Sequence, residues 1–211
     1  MSWLIEHRQL ITLLVNVGML VVWITYLQVF LAGFRRQRKP TILINVGQNR
    51  GLDAHCLVTN MSAEPIYIHA LVAILEGPGG VVTCPVTELD GEDWSGPSDL
   101  RLWTRQGPLA SAQIRDMGTM KAIIDHARKT ISNEEGDPQA IAELRTLEIQ
   151  VIAVYGSEDL PVAARRRFDL VRGDDGEPAL RPQTYAARQI RSRRERRQIA
   201  RTLADGPPRL M

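Results

Sequence analysis

The longest apolar run of the chain is Ile11–Phe34 (ITLLVNVGMLVVWITYLQVFLAGF), about two dozen residues without Asp, Glu, Lys, Arg or His. At 1.5 Å rise per residue it predicts a helix of about 36 Å, enough to cross a hydrocarbon layer about 30 Å thick with some tilt. A cleaved signal peptide has a shorter apolar region and a small-residue cleavage site, and the bulky, charged flank Phe34-Arg35-Arg36 is a poor one. The pattern therefore predicts a transmembrane helix over residues 10–34.

Beyond Pro40, which stops that helix, the hydrophobic period changes to two. Ile42, Ile44 and Val46 alternate, and Ala54–Thr59 predicts a second strand. Ile66–Leu75 is the strongest strand. Simple alternation puts Ile66, Ile68, Ala70, Val72 and Ile74 on one face, and Tyr67, His69, Leu71, Ala73 and Leu75 on the other. With both faces largely apolar it belongs in the middle of a sheet. After the Gly77–Gly80 connection comes VVTCPVTEL, where Pro85 predicts an edge strand or a bulge.

Asp90–Asp99 reads as an exposed loop, Leu100–Thr104 as a short strand around Trp103, and Gln106–Gly118 as one extended segment. From Thr119, a candidate N-cap, the period becomes helical: Met120, Ile123, Ile124, Ala127 and Ile131 share a face. Asp137-Pro138 predicts the start of another short helix. Leu147–Tyr155 and Val162–Val171, joined by Gly156–Leu160, predict a hairpin with Phe168 and Leu170 as apolar anchors.

About seven short strands with one helical insertion predict a mainly β fold. The expected architecture is a single transmembrane helix, then an immunoglobulin-like antiparallel β-sandwich with a short helical insertion, then a basic C-terminal helix. The expected boundaries are 1–9 for a short extracytoplasmic N-terminus, 10–34 for the span and 35–40 for a basic juxtamembrane segment. The sandwich follows at 41–172, with its insertion at 119–145, then a linker at 173–183 and an arginine-rich helix and tail at 184–211.

Charge refines this picture. The balance is nearly neutral, +2 at pH 7 over 211 residues, but the basic residues cluster. Arg35, Arg36, Arg38 and Lys39 follow the apolar run, against Arg8 before it. By the positive-inside rule the N-terminus is expected outside the plasma (inner) membrane and the bulk of the chain in the cytoplasm. Cys56 and Cys84, the only cysteines, are then expected to be reduced.

The polar residues within the span give a candidate partner face. Thr12 and Asn16 are four apart and Gln28 lies further on. An amide in hydrocarbon favours contact with a second helix, so another membrane protein or self-association is expected.

The second basic cluster is Arg188, Arg191, Arg193, Arg194, Arg196, Arg197 and Arg201. Over a single helix from Thr184 to Leu203 these arginines fall all around the axis, and Ile190, Ile199 and Leu203 form no common stripe. Such a helix is expected to pack no apolar face and to attract its partner electrostatically. Membrane lipid headgroups, an acidic protein and nucleic acid fit in falling order, beside a plain solvated tail.

No catalytic constellation emerges. His7, His55, His69 and His126 are scattered, the close Cys or His spacings of a zinc site are missing, and Gly77–Gly80 lacks the lysine of a phosphate loop. The expectation is a non-enzymatic membrane-anchored binding or scaffolding protein with no cofactor, metal or small-molecule substrate. The alternative is a membrane-tethered nucleic-acid-binding protein that uses the arginine-rich tail.

Overall fold

The computed structural model describes residues 7–37, 39–47, 51–78, 80–86, 104–133, 144–156, 158–173 and 176–204. The chain divides into two compact units, Met1–Lys39 and Pro40–Met211. The first carries one helix, α1 (Arg8–Gln37), whose apolar segment Arg8–Gly33 is long enough to cross a membrane. None of that segment is buried, and the large apolar side chains from Leu10 to Leu31 are exposed.

The second unit is mainly β, with antiparallel sheets. A three-stranded sheet is built from β1 (Ile42–Val46), β2 (His55–Asn60) and β6 (Ile114–Thr119), in the order β1-β2-β6. The larger sheet holds β3 (Ile66–Gly77), β4 (Gly80–Pro85), β7 (Thr146–Tyr155), β8 (Val162–Arg172) and β10 (Arg188–Ile190), in the order β10-β8-β7-β3-β4. Two short strands join it, β5 (Gly107–Leu109) on β3 and β9 (Pro178–Pro182) on β8. β4 is an edge strand, where Pro85 takes no N–H from a ladder.

The apolar faces of both sheets bury one core. β1 contributes Ile42 and Ile44, β2 Cys56 and Val58, β7 the alternating set Leu147, Ile149, Val151, Ala153 and Tyr155, and β8 contributes Phe168. The helix α2 (Met120–Asn133) closes it with Met120, Ile123, Ile124 and Ala127. Its N-cap is the expected Thr119, whose Oγ1 accepts a hydrogen bond from Ala122 N at 3.1 Å.

β3 departs from simple alternation. Its pairing with β7 slips between Ile68 and Ala70, so a bulge exchanges the faces midway. Ile66 and Ile68 point into the core as do Leu71, Ala73 and Leu75, whereas Ala70 and Val72 turn to the outer face. Gln106–Gly118 is likewise not one extended segment. β5 pairs in one sheet and β6 in the other, with Ala112 at φ 60° in the turn between them. The expected linker at 173–183 contains β9, which pairs Leu180 with Leu170 of β8. The acidic Asp90–Asp99 loop, residues 100–103 of the Trp103 strand and the Asp137-Pro138 helix start lie outside the described residues.

Candidate membrane and anion contacts

α1 places its polar residues unequally. The hydroxyl of Thr12 donates to Arg8 O at 2.9 Å and that of Thr25 to Val21 O at 2.8 Å. Both are satisfied within the helix itself, as such hydroxyls commonly are one turn back. Thr12 therefore needs no second helix. Asn16 and Gln28 have no hydrogen-bond partner among the described residues. Of the basic collar, Arg35 and Arg36 lie in the last turn of α1, Lys39 is exposed beyond it, and Arg38 lies outside the described residues.

The C-terminal basic segment differs most from its sequence reading. The helix begins late. Arg188–Ile190 forms β10 against β8, and the helix α3 spans Arg193–Ala204. Starting there, its residues sort cleanly. Ile199 and Leu203 pack on Ala70, Ile152, Ala163 and Ile190, the apolar end of the outer face of the larger sheet.

Arg196 lies on the same buried side. Its Nε donates to Pro161 O at 2.8 Å and its Nη2 to Glu158 Oε2 at 3.0 Å, with its side chain 10% exposed. The expectation of a helix with no packed face is thus overturned, and Arg196 does not belong to the surface cations.

Arg193, Arg194, Arg197 and Arg201 are exposed. At about 100° per residue they fall within an arc of about 100°, on the side of the helix away from Arg196, Ile199 and Leu203. No carboxylate pairs with them among the described residues. Arg191 is exposed just before the helix, and Arg188 is paired with Glu195 at 3.0 Å.

The point where the chain enters the folded unit is held from the other, core-facing side of the larger sheet, since Gln189 is level with the inward Ala164 and Ile190 with the outward Ala163. Gln189 of β10 donates from Nε2 to Ile42 O at 2.6 Å and accepts from Ile42 N at 3.0 Å at Oε1. One residue pair further along β1, Arg166 donates to Ile44 O at 2.5 Å and to Asn45 Oδ1 at 2.8 Å. Side chains from the larger sheet thus satisfy backbone groups that an edge strand would leave open.

Arg105 does the same at β6, donating from Nε to Met117 O at 2.7 Å and from Nη1 to Val86 O at 3.2 Å. Sequence reasoning missed Arg105, Arg166 and Gln189. The period of β8 carried the signal for one of them, since Arg166 falls in phase with the inward Ala164 and Phe168.

His55 Nδ1 lies 2.6 Å from Asp116 Oδ2 across β2 and β6, with both side chains at least 40% exposed. Cys56 and Cys84 are free and buried. Burial, with a smaller push from Asp116, raises the Cys56 thiol to about 12. No group of three His, Cys, Asp or Glu residues arranged for a metal ion occurs among the described residues. No protein-family model, curated protein or solved structure matches the chain.

Proposed function

We propose that this is a single-pass membrane-anchored binding protein. In this reading α1 is the anchor, the N-terminus lies outside the plasma (inner) membrane, and Pro40–Met211 is a non-catalytic cytoplasmic module that serves a membrane-protein partner or a second copy. The observation that carries the reading is the apolar segment Arg8–Gly33 of α1, long enough to cross a membrane and with none of its apolar stretch buried. A solvated helix with that surface would be strongly disfavoured in water, whereas hydrocarbon suits it. The collar Arg35, Arg36, Arg38 and Lys39 supports the orientation.

Asn16 and Gln28 support a helical partner, because an amide facing lipid gains by finding one. Two antiparallel sheets over one core support the sandwich part of an immunoglobulin-like reading, with the larger sheet in the order β10-β8-β7-β3-β4.

Alkaline carbonate extraction tests the anchor, and a reporter fused after Met211 tests the orientation. Retention in the pellet with a reporter active only in the cytoplasm is the expected result. Release into the supernatant would overturn the anchor, and a reporter active only outside would overturn the orientation.

A further inference from the structure

The geometry points to the exposed stripe Arg193, Arg194, Arg197 and Arg201 as a seat for anionic lipid headgroups on the leaflet that the anchor's basic collar faces. This rests on the reading that α1 holds the chain in a bilayer. Three observations carry it.

The stripe is held in place. Arg196, Ile199 and Leu203 key the opposite side of α3 onto the larger sheet, so the four guanidiniums are presented together rather than swept through solvent. Its charges are also uncommitted, since no carboxylate among the described residues pairs with any of the four.

Finally, the stripe begins a few residues after the strand that holds the end of the tether. Ile42 is bonded through both its N–H and its carbonyl to Gln189, only four positions before Arg193. Five residue steps link Gln37 at the end of α1 to Ile42, about 17 Å of chain at full extension. A cationic face on a unit held by so short a tether meets headgroups at high local concentration, and each basic residue at an anionic surface favours contact about fivefold.

Single-stranded nucleic acid fits less well, because its binding sites add aromatic platforms. The stripe has none; the exposed Tyr185 lies in the segment before β10.

The test uses the full chain in lipid nanodiscs of phosphatidylcholine alone or with about one-third phosphatidylglycerol. A nitroxide on Ala204→Cys, an exposed position on the stripe side of α3, reports contact. Cys56 and Cys84 are buried and stay unlabelled in the native protein.

The label should be immobilised in the anionic discs and mobile in the neutral ones. The difference should vanish at about 0.5 M salt, where the screening length falls toward a few ångströms. Replacing Arg193, Arg194, Arg197 and Arg201 together by Gln should abolish it, weakening contact about six hundred-fold if the charges act independently, and replacement by Lys should restore it.

Equal mobility in both discs, with the chain retained in them at alkaline pH, would overturn the lipid contact and leave the anchor standing. Loss of the chain from the discs at alkaline pH would remove the anchor and this contact with it. Immobilisation in neutral discs by added polyuridylate, with no response to phosphatidylglycerol, would replace lipid by nucleic acid.

Discussion

Arg166 sits where the alternation of β8 calls for an aliphatic side chain, and its role explains the exception. Its guanidinium reaches the carbonyls of Ile44, Thr184 and Tyr185 and the side-chain oxygen of Asn45, with its carbon 5.5 Å from the centre of the Phe168 ring. Burial lowers its pKa from the ordinary value, yet an arginine remains charged at neutral pH. A planar, five-donor group can serve several carbonyls at once; an ammonium cannot.

Arg166→Met should therefore cost about 2–4 kcal/mol, because Ile44 O and Asn45 lose their donor at a buried edge. Arg166→Lys should recover less than half of that loss. Thermal unfolding of the two variants in the same detergent checks both, and a Tm within a degree or two of the parent for Arg166→Met would contradict the role.

Cys56 gives a second residue-scale prediction. Its thiol titrates near 9.0 when unfolded and near 12 when buried, so the folded state keeps its proton where the unfolded state loses it. That contribution to stability is fully present below about pH 9 and is lost as pH rises through about 12. Urea midpoints should fall more steeply between pH 9 and 11 for the parent than for Cys56→Ala. Parallel curves would show that the thiol does not contribute.

At the scale of elements, the sequence was legible wherever one face of a strand or helix met the core without interruption. β7 and α2 follow their periods, and Thr119 caps where its spacing predicts. Period-two reasoning failed inside β3 because a bulge at Ile68–Ala70 adds a residue to one strand, and alternation carries no mark of that.

The basic tail failed for a different reason. Helix propensity suggested a start at Thr184, but pairing of Arg188–Ile190 with β8 captured those residues as a strand. Moving the start to Arg193 changes which side chains share a face. The same arginines then divide into one buried clip and one exposed stripe. Buried Arg105 left no trace, since its carbonyl partners, Met117 and Val86, are far from it in sequence.

The docking of α3 is correspondingly local. Two part-buried apolar side chains and one buried arginine secure it, so it should open without unfolding the sheets. Leu203→Asp should abolish hydrogen-exchange protection in Arg193–Ala204 while β3 and β7 keep theirs. Loss of protection in all three would mean that α3 is integral to the core.

For the whole molecule, the proposed anchor and the folded unit make separable demands, and Asn16 is where they are most easily told apart. Its amide lies in the N-terminal third of an apolar helix with no partner among the described residues. Within a membrane a hydrogen bond from such a group to a neighbouring helix contributes about 0.6–2 kcal/mol. Asn16→Leu removes that incentive and makes the span more apolar, so carbonate resistance should be kept or increased. Association, read by energy transfer between differently labelled copies in vesicles or by co-purification of a membrane protein in mild detergent, should weaken about three- to thirtyfold. The folded unit lies in a separate compact body and should melt as before. If association is unchanged, Asn16 is a tolerated amide and the partner contact lies elsewhere. If it weakens while the folded unit melts as before, the contact is made within the anchor.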